Sequence, residues 1–339
     1  MPLSSWLKDR LGLGSLLDHR IPLHANGATY VIGGSLLVLG LAQGITGILL
    51  QQFYHPTPGA QAAYESVQYI MSVPLWDFVR NLHYWGAQLI LVLVILHMMR
   101  VYVSGAYKKP REVLWLSGLA LLVTAWTLSF TGTVLKWDQE GVEALAHNLE
   151  LSQALGPLGY WFSPSFASAV PILVRLNSAH VTILPVIALA LVALHTYLIR
   201  VLGISSPKGG HTSLELTVPF STHVKKMALY GSLAFLFTVA LALTAPAPLS
   251  SPGNLAIEVS KPSWYMLWVY AIENAVGLQA VPYALTEALV LVLLVPLIDR
   301  SPYTDPRRRK LMMGLMLVAV VVFVGLMMNA ALQPPVSHL

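Results

Sequence analysis

Seven stretches of the chain, residues 30–50, 78–102, 114–135, 180–202, 227–245, 283–298 and 311–332, are apolar on every side a helix would present. Polar, proline-containing segments separate them. A helix on a soluble core shows one apolar stripe, whereas apolarity all round over about 20 residues marks a helix surrounded by lipid. The backbone of such a stretch can satisfy its own hydrogen bonds only as a helix, because hydrocarbon offers none. The pattern therefore predicts an all-α integral membrane bundle of seven transmembrane helices. The sixth stretch, 16 residues long, is the shortest. Pro56, Pro58, Pro110, Pro207, Pro246 and Pro248 fall between stretches, while Pro185 and Pro296 fall inside them and predict kinks.

Three segments outside these stretches change the picture. Residues 4–17 can form a short amphipathic helix on the membrane surface. Residues 136–177 and 246–282 are longer than the roughly 12–15 residues beyond which a loop tends to be functional. Both carry aromatics in apolar company, namely Tyr160, Trp161 and Phe162 in one and Trp264, Tyr265, Trp268 and Tyr270 in the other. They are expected to fold as interfacial or re-entrant helices around a lipid-facing pocket.

Composition agrees with a membrane bundle: 56% of the 339 residues are hydrophobic and 10% are charged, with a mean hydropathy of +0.66. The sequence pI of about 9.3 is explained by where the basic residues lie. Arg80, Lys136, Arg175 and Lys261 fall on one side of the seven stretches and the remaining 16 of the 20 Lys and Arg on the other, with the N-terminus. The excess of Lys and Arg marks the cytoplasmic side, so the N-terminus is expected in the cytoplasm of a prokaryote with the chain in its cytoplasmic membrane. This distribution removes the case for nucleic acid as a partner. Residues 1–26 carry charges throughout and no long apolar run, so no cleavable signal peptide is expected. With no cysteine, the chain has no disulfides, no thiolate-held iron–sulfur cluster and no Cys-linked haem c.

Candidate chemistry centres on four of the eleven histidines. His83 and His97 are 14 residues apart in the second stretch, and His180 and His195 are 15 apart in the fourth. These intervals rise about 21 and 22 Å and bring each pair back to roughly one helix face. Ionisable groups in a bilayer are costly and functional by default. The two stretches run the same way across the membrane, so early faces early: His83 with His180 and His97 with His195. Haem explains the spacing, since bis-imidazole ligation saturates iron and suits electron transfer rather than oxygen binding. Two haem b groups are therefore expected, one above the other. Gly33 and Gly47 in the first stretch, and Gly118 and Gly132 in the third, repeat the 14-residue interval. They offer bare backbone where a flat macrocycle could approach closely. Arg80, Arg100 and Arg175 lie within five residues of a histidine ligand and suit haem propionates.

Residues 66–137 in particular resemble the cytochrome b/b6 family. The matching residues are Gly33-Gly34, Thr46-Gly47, Arg80, His83, His97, Arg100, Gly105-Ala106-Tyr107-Lys108-Lys109-Pro110-Arg111-Glu112 and Trp137-Asp138-Gln139. Arg175, His180, Leu184-Pro185, His195, Ile199-Arg200 and Gly203-Ile204-Ser205 continue the likeness. The 15-residue interval and the glycine doublet lean toward the b6 branch, and the region after Lys208 is similar to that branch's separate subunit IV, here fused. The resemblance implies a surface segment at 1–29, a four-helix diheme core at 30–205 and a three-helix subunit IV-like region at 206–339. It further implies the cytochrome b subunit of a quinol–cytochrome c oxidoreductase in a respiratory chain, in an oligomeric complex with lipids, a Rieske iron–sulfur protein and a c-type cytochrome. One quinone site would lie at each membrane face.

Departures from the family sit at those quinone sites. The outer signature Pro-Glu-Trp-Tyr reads Pro262-Ser263-Trp264-Tyr265 here, and Pro-Trp-Asp-Gln reads Lys136-Trp137-Asp138-Gln139. Serine does not take up a proton at neutral pH as a carboxylate does. Glu273, ten residues on in an expected surface helix, is a candidate substitute base. Val31-Ile32 stand where the b6 branch has the cysteine of its covalent haem. On the cytoplasmic side Arg200, Lys208, His211, His223, Lys225 and Lys226 cluster, with Arg200 and Lys225 the first candidates for quinone contact. The alternative to quinol oxidation is a diheme conduit serving another oxidoreductase without a normal outer site. A transporter using the histidines as a proton relay would need broken helices or mid-membrane acids; Glu287 is the one acid inside a stretch.

Overall fold

A computed structural model describes residues 19–57, 60–205 and 216–336 together with Trp6 and Arg10. Most of the expected surface helix at 4–17, and Lys208 and His211, lie outside the described residues. The chain folds as helices α1 (Ile32–Gln51), α2 (Ala60–Ser72), α3 (Pro74–Val103), α4 (Glu112–Leu135), α5 (Gln139–Ala154), α6 (Ile172–Ser178), α7 (Leu184–Leu202), α8 (Phe220–Thr244), α9 (Leu267–Val276), α10 (Val281–Leu293), α11 (Val295–Ile298) and α12 (Lys310–Leu332). A two-stranded antiparallel ribbon, β1 (Arg20–Pro22) with β2 (Thr217–Pro219), ties the segment before α1 to the one before α8.

Among the described residues six helices are long and apolar enough to cross a membrane: α1, α3, α4, the rod Ile172–Leu202, α8 and α12. Their large side chains point outward, with Leu189, Leu243 and Leu311 70–74% exposed. A soluble fold would bury these residues, so the protein is an integral membrane helical bundle. The sixth stretch, expected to span at 283–298, is not one long helix. It breaks at Leu294 into α10 and α11. Pro296 has no N–H to give and clashes with the carbonyl four residues back, which is that of Val292. The Trp115 indole donates to that carbonyl at 3.0 Å, so a neighbouring helix satisfies the acceptor that proline vacates.

Pro185 has a comparable effect. The fourth stretch starts earlier than its sequence suggests, at Ile172, and passes through a π-helical turn, Ala179–Ile183, before α7. The wide turn contains His180, and such turns are frequent at functional sites. Helix α1 packs on α3 and α8, and α4 on α7. Gly34 faces Met227 and Gly231 faces Val38, which lets α1 and α8 approach backbone to backbone.

The two long loops form one layer. Asp138 caps α5, accepting from Gly141 N at 3.0 Å, and also accepts from Ser250 N at 3.0 Å. Gln139 reaches the carbonyls of Asn254 and Ile257, and Glu143 accepts from Val259 N and Ser260 N. At the opposite end of the bundle Asp299 is buried with Arg309, joined by Tyr107 and Lys108. That cluster fastens the Gly105–Glu112 motif to the start of α12.

Candidate functional site

The second and fourth stretches bring their histidines together in two pairs. His83 faces His180 with ring centres 6.4 Å apart, and His97 faces His195 at 6.5 Å, each with ring planes at 67°. Three of the four imidazoles are oriented by a hydroxyl. Thr46 Oγ1 lies 2.9 Å from His83 Nδ1, Thr131 Oγ1 2.9 Å from His180 Nδ1, and Ser117 Oγ 2.9 Å from His195 Nδ1. Each hydroxyl gives its single proton to a carbonyl one turn back: Thr46 to Ala42, Thr131 to Thr127, Ser117 to Leu114. Toward the imidazole it can then only accept, so the ring proton sits on Nδ1 and Nε2 keeps a free lone pair. This is the arrangement by which an outer partner presents a histidine to a metal. His97 Nδ1 is buried with no protein partner; Ile32 stands where the other three sites have the hydroxyl.

Those hydroxyl residues, Ser117 and Thr131 above all, escape a reading based on histidines and glycines. Their signal is nonetheless in the sequence: Thr46, Ser117 and Thr131 each immediately precede one of the four spaced glycines. The glycines differ somewhat from expectation. A Cβ on Gly33 would lie 3.5 Å from His97 Cε1, on Gly47 3.3 Å from His83 Cε1, on Gly118 3.4 Å from His195 Cε1, and on Gly132 3.1 Å from His180 Cε1. The bare backbone thus makes room for the edge of each imidazole, in addition to any space it leaves beside a macrocycle.

The geometry fits a bis-imidazole haem. Two metal–nitrogen bonds of about 2 Å in line, with about 1 Å from each nitrogen to its ring centre, separate ring centres by about 6 Å. Among the described residues no group of three or more His, Cys, Asp or Glu could itself hold a metal ion. A metal held between two imidazoles alone would need a group that brings its own equatorial ligands, as a porphyrin does.

The three arginines have different surroundings. Arg80 donates to the carbonyls of Ala247 and Pro248 at 3.0 and 2.8 Å, and Arg175 to those of Trp161 and Ser163 at 2.8 and 2.6 Å. Both hold loop backbone, and Arg175 keeps a buried Nε without a partner. Arg100 lies over the Tyr30 ring at 3.6 Å with a buried, unpaired Nη2.

Beyond His83 and His180, the two departures noted at 136 and 263 meet. Lys136 Nζ lies 2.6 Å from Glu140 Oε2 and 3.1 Å from Asp138 Oδ2. The Ser263 hydroxyl donates to the other Glu140 oxygen, Oε1. The Trp264 indole donates to Gln88 Oε1 at 2.6 Å, and Tyr265 OH lies 3.2 Å from Thr133 Oγ1. Burial pushes the Tyr265 phenol up to about 12. Between Lys136 and Asp138, Trp137 has φ of +51°, a strained conformation for a bulky residue that costs about 1–3 kcal/mol. Gly253 N, donating to Trp137 O, and Gln139 N, donating to Ser251 O, pin that corner.

Glu273 departs from expectation, for it is buried rather than on a surface helix. It lies 3.1 Å from His147 Nδ1, while Glu258 lies 2.9 Å from His147 Nε2. Burial opposes protonation of His147, but Glu273 and then Glu258 outweigh it and raise its pKa to about 9. Glu273 is thereby occupied as half of an ionic clasp between the two loops. At the other end of the bundle His223 is buried, Lys226 donates to Asn26 O at 3.1 Å, and Arg200 and Lys225 are exposed.

Comparison with known proteins agrees with this architecture. The family model described as Cytochrome b(N-terminal)/b6/petB matches residues 88–252, and that described as Cytochrome b(C-terminal)/b6/petD matches residues 248–338. Cytochrome b6 of Heliobacterium mobile is 38% identical over 213 residues, covering 60% of this chain and 99% of the relative. The menaquinol:cytochrome c reductase cytochrome b subunit of Bacillus subtilis is 34% identical over 218 residues, covering 60% of this chain and 96% of the relative. A solved structure, Hyperthermophilic respiratory Complex III, aligns with TM-score 0.82 and 26% identity over 98% of this chain and 92% of that one. With both family models on one polypeptide and the histidine-bearing bundle between membrane helices, the chain belongs to the cytochrome b/b6 family.

Proposed function

We propose that this protein is the diheme cytochrome b of a quinol-oxidising membrane complex, carrying electrons between a quinone site at each face. The observation that carries the reading is the pair of imidazole couples, 6.4 and 6.5 Å across, separated by 14 residues or about 21 Å of helix. His83 with His180 would ligate the outer haem and His97 with His195 the inner one, within residues 30–205. When bound, each haem supplies a one-electron carrier; everything else falls to the chain. Thr46, Thr131 and Ser117 hold three of the imidazoles in the ligating tautomer. Gly33, Gly47, Gly118 and Gly132 give all four room. Arg100, with its buried unpaired Nη2, suits an inner propionate, and Arg175 Nε suits an outer one.

The outer face is assigned by charge: 16 of 20 Lys and Arg lie on the side of the N-terminus, which the positive-inside tendency makes cytoplasmic. Ser263, Trp264 and Tyr265 then border the outer quinol site. Arg200 and Lys225, exposed at the cytoplasmic end, are available to a quinone there. The relative named menaquinol:cytochrome c reductase supports a quinol donor and a c-type acceptor, and the Complex III likeness supports a place in a membrane oxidoreductase complex, where a Rieske iron–sulfur protein would be the other electron acceptor.

The test is anaerobic addition of menadiol to the purified complex, followed optically and by electron spin resonance. Reduction of both b-type centres, with a Rieske-type signal present, is expected. Reduction without a Rieske-type signal would identify a conduit for another oxidoreductase. Centres that menadiol leaves oxidised while dithionite reduces them would contradict a quinol site.

A further inference from the structure

On the outer face the sequence leaves Ser263 where a proton acceptor would stand, and the fold brings a carboxylate to it from 123 residues away. We propose that Glu140 is the catalytic base of the outer site, accepting the proton of a quinol-class donor while Ser263 and Lys136 position its carboxylate. The inference rests on the quinol reading above and deepens it.

Position supports it first. Thr131, on α4, contacts His180, and Lys136, at the end of the same helix, contacts Glu140. Lys136 is five positions past Thr131, about 7 Å along the helix axis, so Lys136 and the carboxylate it holds lie beyond the outer imidazole pair. Tyr265 and Trp264 adjoin Ser263 and meet Thr133 and Gln88, which lie on the two helices that flank this end of the bundle.

Capacity supports it second. The neighbouring acids are saturated or paired. Glu143 receives Gln139 Nε2, Val259 N, Ser260 N and Ser260 Oγ. Asp138 is 1% exposed and receives Gly141 N, Ser250 N and Lys136. Glu258 and Glu273 hold His147. Glu140 receives one donor on each oxygen, and its side chain remains 19% exposed. An ionised carboxylate has about four lone-pair sites, so acceptor capacity is left for a substrate.

The step balances within the pocket. A quinol O–H bond breaks, its proton bonds to a Glu140 oxygen, and the electron pair stays on the quinol oxygen. Glu140 becomes a neutral acid beside the Lys136 ammonium. The two electrons leave singly to the acceptors already named by class, an iron–sulfur partner and the outer haem; the second hydroxyl proton passes to the outer solvent, as does the one Glu140 releases, and quinone is left.

The experiment compares Glu140→Gln and Ser263→Ala with wild type in the purified complex, measuring menadiol-driven haem reduction across pH together with haem content. Glu140→Gln keeps the shape and can still receive Ser263, so haem content and dithionite reduction should stay at wild-type level. The menadiol rate should fall about 100-fold or more, the range for loss of a general base, and lose its acid limb. Ser263→Ala removes the hydroxyl that holds Glu140 Oε1, so its menadiol rate should fall about 10-fold or more with haem content unchanged. A Glu140→Gln rate within about twofold of wild type, with the acid limb retained, overturns the inference. If Glu140→Gln fails to assemble its haems, a Ser263→Ala rate within about twofold of wild type overturns it. Wild type that menadiol does not reduce would overturn the quinol reading and this inference together.

Discussion

Replacing His83 by alanine, or His180 by alanine, should remove one haem from the chain and leave the other in place. Each of these imidazoles faces the other across 6.4 Å, and no third protein ligand is available among the described residues. With the proposed pairing, loss of either would leave the outer site half-ligated, while the inner pair stands about 21 Å away along the helices. The bundle should survive, because α3 packs on α1 and the outer loops are tied by their own hydrogen bonds. The readout is haem per chain together with a reductive titration. One haem in either variant, with the remaining potential close to one of the wild-type pair, is expected. Retention of both haems in either variant would break the pairing of His83 with His180.

The second large effect concerns stability. Asp299→Ala should cost about 3–5 kcal/mol, the usual penalty for removing one partner of a buried ion pair. The Arg309 side chain is fully buried, and Asp299 accepts from it at 3.2 Å, from Tyr107 OH at 2.6 Å and from Lys108 at 2.7 Å. Burial alone would raise the Asp299 pKa, but Lys108, Tyr107 and Ser301 outweigh it and hold the carboxyl well below the usual carboxylate range. Alanine would strand two cations against each other in that site. Asp299→Asn, which keeps the shape but not the charge, should recover only a small part. In detergent the Tm should fall by roughly 5–10 °C, and hydrogen exchange in Lys310–Leu332 should rise, because Arg309 anchors the start of that helix to the carbonyls of Tyr102 and Val103. A Tm shift of less than about 1 °C would show the cluster to be incidental.

Much of this architecture is readable along the chain because lipid imposes a simple rule: a stretch apolar on all sides must be a spanning helix. His83, His97, His180 and His195 stand out against that background, and their spacing carries the two-level arrangement. What could not be read depends on segments distant in sequence. Glu140 is an unremarked acid until Ser263 is folded against it, and Lys136 reads as a departure until both are seen on one carboxylate. The break at Leu294 needs Trp115, from another helix, to accommodate Pro296. Glu273 lies in an apolar run that looks superficial, yet the 136–177 loop covers it with His147. Thr46, Ser117 and Thr131 are a different case. Each sits directly before a spaced glycine, and the pattern becomes meaningful once the hydroxyl is seen to direct the imidazole proton.

The most direct measurement is the haem b content of the purified wild-type protein, by pyridine haemochrome against protein mass, with low-temperature electron spin resonance of the oxidised state. Two haems per chain and two low-spin ferric signals of bis-imidazole type are expected. A single haem per chain, or a high-spin signal from an intact site, would contradict the account of two paired histidine sites.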